Sequence, residues 1–553
     1  MNRQHLLSAI FSLVLALVLT AGCGAGGADA GYNGGNNVGT SGAQDIGLFR
    51  KILDEGGIPG PSSLDANGFF SEHYTQLPPP DCDGPICLQA MLAVTRDWVW
   101  DDYGAALQLA FNTTIDASDL EAKPLDLIVV VDTSGSMASE EKLSYAKQGM
   151  HMLIDGMDPE DRMALVSYDT EARILSELHL VEDATSLHDA VEWLVPSGAT
   201  NLHDGLETGM VIASEAASVE REVRVILLSD GNPTTGITSA DAIQEMADGF
   251  IADGIGLTTI GMGTDFNIDL MKSLAERGAG NFYFLEDPTA IEEVFGQELD
   301  YFVTPIAKEV HLEVRSGLGY KLGRVSGTRF WETKNYGGVL SIPTLFLASR
   351  LSNEAPDNAR RGGGSTFFID LHPDQVQTDG DKMVTEITLT YRVPGTNELK
   401  EQTVVVEYPG VPGEVPEGGY YSNQAMVKNN AVYNIYKGLR EASETAETSH
   451  NHALWVLTRL EEIARDWNEH YEDDDIAADI ELIEQFQNNL RAKGASPVDP
   501  DGYDYYGGEE GQDITMGCST TRRTGAPMPL FLGLMILAAL ALPLLRRRLA
   551  SRR

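Results

Sequence analysis

The sequence predicts an α/β fold: a doubly wound, Rossmann-like domain inserted in or flanked by a β-sandwich-like module, with helices on the C-terminal side. Three observations carry this expectation. Residues 127–131 form a continuous apolar run, mostly β-branched, as a strand buried on both faces of a parallel sheet requires. From residue 126 to 303 short apolar strands alternate with amphipathic helices, which is the rhythm of a doubly wound sheet. Beyond Pro305 strand signals take over, and long helical stripes follow them.

The elements follow in chain order. Residues 23–45 are rich in Gly, Asn and Ala with almost no large apolar side chain, so a flexible linker is expected. An N-terminal segment, 46–125, opens with Leu48, Phe49, Ile52 and Leu53 at helical spacing and is stopped by Gly56-Gly57-Ile58-Pro59-Gly60-Pro61. Phe69, Phe70 and Tyr74 are aromatic anchors, and 107–111 alternates like a strand that joins the β module. Within 126–303, helices are expected at 145–157, 187–194, 206–216, 242–252, 269–277 and 291–302. Strands alternate with them at 127–131, 164–168, 223–228, 257–262 and 282–285. The β module, 304–410, reads as strands at 309–314, 339–347 and 366–371. It also has a hairpin, 384–393 with 403–408, turning at Pro394-Gly395-Thr396-Asn397. Its expected partners include the strands before residue 127, which makes the α/β domain an insertion between two halves of one β unit. Residues 411–495 begin with a Pro/Gly linker and predict helices at 423–444, 452–467 and 475–490, whose apolar stripes are packing faces.

Charge narrows the function. The 553 residues include 39 basic and 83 acidic side chains, a formal charge of −44, which is wrong for a protein that neutralises phosphates; nucleic acid is excluded as a partner. Four cysteines cannot scaffold so long a chain. Cys82 and Cys87 bracket a Gly-Pro turn, and in an exported chain they read as a loop-closing disulfide rather than a metal site.

Both ends read as addresses. In 1–22, Arg3 precedes an apolar run, and Leu19-Thr20-Ala21-Gly22-Cys23 resembles a bacterial lipobox, whose cleavage would leave Cys23 to carry lipid. An ordinary signal peptide is the alternative. Residues 496–527 form an acidic linker in which Asp499, Asp501 and Asp504 lack the EF-hand order. Gly517-Cys518-Ser519, the apolar segment 528–548 and Arg546, Arg547 and Arg548 together resemble the C-terminal sorting tag of myxobacterial surface proteins, which is cut near the cysteine. A plain transmembrane anchor is the alternative there. Either reading faces the body outward, so the expected location is the cell envelope, membrane-anchored by lipid, by the C-terminal segment or by both, at the outer membrane or cell surface.

The chemistry sits where the first central strand ends. Residues 127–131 run into Asp132-Thr133-Ser134-Gly135-Ser136, which puts a carboxylate and two hydroxyls at alternate positions of a tight loop. Open α/β sheets bind ligands at that edge, and hard oxygen donors suit a hard divalent ion. Thr200, in Ser197-Gly198-Ala199-Thr200, and Asp230, ending the apolar strand 223–228, add donors from two further loops.

These residues resemble the von Willebrand factor A (VWA) domain and its metal-ion-dependent adhesion site, Asp-x-Ser-x-Ser followed by a later Thr and a later Asp. All five positions are filled, by Asp132, Ser134, Ser136, Thr200 and Asp230. The whole chain also resembles bacterial VWA lipoproteins through looser motifs. The resemblance implies a bound Mg²⁺, with Mn²⁺ or Ca²⁺ as alternatives, touched by Ser134, Ser136 and Thr200, while Asp132 and Asp230 act through water. It further implies that a protein ligand's acidic side chain completes the octahedron. No nucleophile elbow, P-loop or zinc-protease helix is present, and His203, the imidazole nearest to Thr200 in sequence, reads as a surface or capping residue. The expected protein is therefore a surface binding module, not an enzyme. The alternative is an envelope scaffold in which the metal is structural.

Overall fold

The computed structural model describes residues 36–496 apart from 75–76, 116–122, 219, 265, 286–293, 296–304, 349–362, 375–381 and 397. The expected export signal, Cys23, the acidic linker, Cys518 and the apolar segment 528–548 lie outside the described residues, as does most of the expected helix 291–302.

The described chain opens on β1 (Asn36–Thr40) and β2 (Gly42–Ala43), where a flexible linker was expected. Composition misleads at this point. With Val38 as the one large apolar side chain, β1 is held by its backbone, which pairs antiparallel with strands on both sides. Helices α1 (Gly47–Asp54) and α2 (Ala66–Ser71) follow, then the long strands β3 (Ile86–Arg96) and β4 (Tyr103–Thr113). Just before β3, Cys82 and Cys87 are joined in a disulfide.

The α/β domain begins with β5 (Leu125–Asp132), all eight residues of which are buried, as its unbroken apolar run requires. It continues through α3 (Lys142–Gly156), β6 (Arg162–Tyr168), β7 (Ala172–Leu180), α4 (Ala184–Glu192) and α5 (Leu202–Ala216). It closes with β8 (Glu222–Ser229), α6 (Ala240–Ile251), β9 (Gly256–Met262), α7 (Ile268–Arg277) and β10 (Asn281–Leu285). Among the described residues the sheet runs β2-β10-β9-β8-β5-β6-β7, parallel throughout except for β7. Its two faces are covered separately: Met150 and Leu153 of α3 with Leu187 and Val191 of α4 on one, and the apolar faces of α5, α6 and α7 on the other. Strand β7 gave no apolar signal because it is a half-exposed edge.

The β module resumes with β11 (Ala307–Ser316), β12 (Tyr320–Ser326), β13 (Trp331–Lys334), β14 (Gly337–Leu347), β15 (Thr366–Pro373), β16 (Met383–Arg392) and β17 (Leu399–Glu407). These strands share one sheet with β1, β3 and β4, ordered β12-β15-β4-β1-β14-β11-β16-β17 with β3 beside β4. Apolar side chains from both its halves, among them Leu92, Leu107, Leu312 and Leu389, close on one core. The α/β domain is thus inserted into a sandwich-like β unit, as the sequence predicts. Segment 36–43 belongs to both sheets, since β1 lies inside one and β2 pairs with β10 at the edge of the other.

Helices α8 (Ala425–Ala446), α9 (His450–Tyr471) and α10 (Asp474–Ala492) pack on the N-terminal anchors. Phe49 meets Phe486 edge-on at 5.9 Å, and Phe70 meets Tyr436 at 5.1 Å. Among the described residues no helix is long and apolar enough to cross a membrane.

Candidate metal centre

Strand β5 delivers Asp132 to the carboxyl edge of the sheet, and β8 delivers Asp230 beside it. Between them the chain turns sharply, and the turn is fixed by its own polar groups. The Ser134 backbone N–H donates to Asp132 Oδ1 at 2.8 Å, an Asx turn that aims the hydroxyls back over the strand end. Ser134 Oγ and Ser136 Oγ are 3.0 Å apart, and the Ser136 hydroxyl donates to Asp230 Oδ1 at 2.8 Å.

The third loop is sewn onto the first by backbone hydrogen bonds. Ser197 N–H donates to Thr133 O at 2.6 Å, and Gly135 N–H to Gly198 O at 3.3 Å. Gly198 has φ +69°, and a Cβ there would lie 2.7 Å from Thr170 Oγ1, so only glycine fits. Thr200 is held from both sides: its N–H donates to Thr234 Oγ1 at 2.9 Å, and its carbonyl accepts from Thr234 N–H at 2.9 Å. A methyl placed on Gly231 would lie 3.8 Å from both Ser136 Oγ and Thr200 Oγ1, so these hydroxyls border one small space. Asp132, Ser134, Ser136, Thr200 and Asp230 are all brought together.

Electrostatics follow from burial. Asp132 is fully buried, and this pushes its carboxyl up to about 6; hydrogen bonds from Ser134 and Ser229 pull the other way, while Asp230 adds repulsion. Ser229 Oγ donates to Asp132 Oδ2 at 3.0 Å, with the Tyr168 hydroxyl 3.4 Å from the same oxygen. Asp230 has a cationic partner: Lys142 Nζ lies 3.0 Å from its Oδ2. The ammonium reaches it over Gly263, where a Cβ would stand 2.7 Å from both Cε and Nζ. Sequence reasoning missed Lys142, Tyr168, Ser229 and Thr234, because none belongs to the five-residue pattern.

The donor set fits a hard divalent cation. It offers hydroxyls and carboxylates without thiolate or imidazole, and a buried carboxylate whose charge wants compensation. Ser134, Ser136 and Thr200 would hold the ion through hydroxyls, with Asp132 and Asp230 behind them. Among the described residues no three of His, Cys, Asp and Glu converge on a point, so this centre depends on hydroxyl donors. His203 Nδ1 lies 3.6 Å from Glu207 one helical turn on.

Known proteins place the domain. The family model described as von Willebrand factor type A domain matches residues 126–297. The uncharacterized protein YfbK of Escherichia coli (strain K12) is 24% identical over 273 residues, which is 48% of this chain and 47% of that protein. The inter-alpha-trypsin inhibitor heavy chain H2 of Mesocricetus auratus is 28% identical over 170 residues, 29% of this chain and 18% of its own length. The chain thus spans about half or less of the length of these curated relatives. Among solved structures, a von Willebrand factor type A protein from Catenulispora acidiphila superposes with a TM-score of 0.46 at 16% identity, covering 70% of this chain and 87% of that one.

Proposed function

We propose that this chain, whose residues 126–297 form a von Willebrand factor type A domain, is an exported, envelope-anchored binding protein that captures a protein ligand through Mg²⁺ at this centre. The observation that carries the reading is the Ser136 hydroxyl, 3.0 Å from Ser134 Oγ and 2.8 Å from Asp230 Oδ1, with the Thr200 hydroxyl bordering the same space. A divalent ion there supplies an electrophilic position that an acidic side chain of the ligand fills.

The chain's own residues do the rest. Lys142 neutralises Asp230, so the loops present few uncompensated anions and an incoming carboxylate is not repelled. Ser229 and Tyr168 hold Asp132 in place beneath the hydroxyls. The segments that carry Thr200 and Asp230 also carry exposed apolar side chains: Trp193 and Val195, before Thr200, are 68% and 65% exposed, and Ile237, after Asp230, is 46% exposed. Exposed large apolar side chains are the kind of surface that a protein partner covers. A catalytic role would need a positioned base, and the nearest imidazole in sequence, His203, has its described contact with Glu207 on its own helix, at 3.6 Å. We therefore read the centre as one that binds.

The test uses the exported chain as bait on envelope extract, in Mg²⁺ and in EDTA, beside Asp132→Ala checked for folding by circular dichroism. Capture should require Mg²⁺ and vanish in the variant. Equal capture in all conditions would shift the reading to a scaffold whose partners dock elsewhere.

A further inference from the structure

Away from the metal centre, two imidazoles meet between α3 and α4. His151 and His188 place their Nδ1 atoms 2.6 Å apart. The ring centroids are 4.9 Å apart and the planes 26° from parallel, so the two nitrogens lie between the rings. Each outer nitrogen is taken by a carboxylate: His151 Nε2 lies 2.9 Å from Glu192 Oε1, and His188 Nε2 lies 3.2 Å from Asp155 Oδ1. An ionised carboxylate only accepts, so both Nε2 atoms carry the hydrogen. Both Nδ1 lone pairs are then aimed at each other, and at that separation they repel unless a cation lies between them.

We propose that His151 and His188 form a two-imidazole site for a borderline divalent cation of the Zn²⁺ type, on the outer face of the α/β domain. Imidazole nitrogen suits Zn²⁺, Cu²⁺ and Ni²⁺, whereas Mg²⁺ prefers oxygen, so this site and the hydroxyl-rich centre select different ions. A carboxylate on the far N–H is the arrangement that orients a metal-ligating histidine and raises its basicity. Here both rings have one. Lys147 secures Glu192 through its other oxygen, Nζ to Oε2 at 3.3 Å, and leaves Oε1 to His151. A tetrahedral ion with bonds of about 2.0–2.1 Å holds its nitrogens roughly 3.3 Å apart, so the rings must part slightly to admit it. Their side chains, each 30% exposed, have room to do so. Among the described residues no third His, Cys, Asp or Glu joins them, so water completes the shell from the open groove beside Met152 and Leu194. The bound ion would tie α3 to α4.

The test titrates the full chain, free of any histidine tag and saturated with Mg²⁺, with Zn²⁺ by calorimetry and with Co²⁺ by absorption. A single equivalent should enter. Affinity should fall by about tenfold or more in His151→Gln and in His188→Gln, and by about tenfold in Glu192→Gln, which touches no metal. Asp132→Ala should leave the isotherm unchanged, separating this site from the hydroxyl-rich centre. Absence of Zn²⁺ uptake, as a proton shared by the rings would give, or the same isotherm in a folded His151→Gln/His188→Gln double variant, overturns the proposal.

Discussion

At Asp230 the Lys142 ammonium lies 3.0 Å from Oδ2, where it would share the carboxylate with a divalent ion bound at the proposed site. Lys142 is nearly buried, so its charge is poorly screened by water. Replacing it by methionine keeps the bulk and removes the competing charge. Lys142→Met should therefore bind Mg²⁺ about tenfold more tightly or better, by calorimetry, while capturing its acidic ligand more weakly, because the ion then faces an unneutralised Asp230. Equal Mg²⁺ affinity in the two proteins would show that Lys142 is only a structural tether. Thr200→Ala should weaken Mg²⁺ binding without unfolding the domain, since the backbone contacts to Thr234 survive. At this scale the sequence was informative where chemistry repeats at fixed spacing, as in Asp132, Ser134 and Ser136. It was silent about Lys142, ten residues on, because only the fold of the turn brings that side chain back over Gly263.

Helix α5 shows how packing reaches the centre. Gly205 and Gly209 lie on its buried face, where a Cβ would come within 2.5 Å of the Tyr168 ring and 2.4 Å of Val130 Cγ2. The helix therefore rides directly on β5 and β6, and Tyr168 is wedged with its hydroxyl toward Asp132. Gly205→Ala should destabilise the domain by about 1–3 kcal/mol in urea unfolding through overpacking, and should weaken Mg²⁺ binding as Tyr168 is pushed off Asp132. A loss of stability without any change in Mg²⁺ affinity would uncouple the helix from the centre. The sequence read best where side chains alone decide an element. Strands β5, β8 and β9 are almost wholly buried around apolar residues, and helices α8, α9 and α10 have long buried stripes. It read poorly where backbone pairing decides: β1 has few apolar residues, β2 has two residues, β7 is half-exposed and β13 largely exposed. The partners of β1 and β2 lie far away in the sequence, and β7 and β13 pair with adjacent strands but bury too little to show an apolar pattern.

Buried titratable groups sit at joints between segments distant in sequence. Burial works against a charged His73, but Asp479 on α10, 3.0 Å away, and Asp475 overcome it and push the imidazole up to about 9. Burial, reinforced by Asp65, pushes Glu276 of α7 up to about 7. Both groups hold a proton more tightly folded than unfolded. The Glu276 contribution is therefore full below its ordinary value near 4.5 and lost as pH rises through about 7. That of His73 is full below 6.5 and lost as pH rises through about 9. Unfolding free energy should decline from pH 5 to 9, each group contributing up to about 3 kcal/mol. His73→Gln should flatten the upper part of that curve and Glu276→Gln the lower part; stability that is level across the range would contradict this view of the joints. The insertion of one domain into a divided β unit was legible from the order of strand and helix signals, whereas the tie made by 36–43 was hidden in a stretch that reads as a linker. All of this scaffolding serves one edge of one sheet, so the decisive measurement is the anomalous difference map of crystals grown with Mn²⁺. A peak at about 2.1 Å from the Ser134 and Ser136 hydroxyls, absent in Asp132→Ala, is what the account predicts. Density for Mn²⁺ elsewhere with nothing between these loops would contradict it.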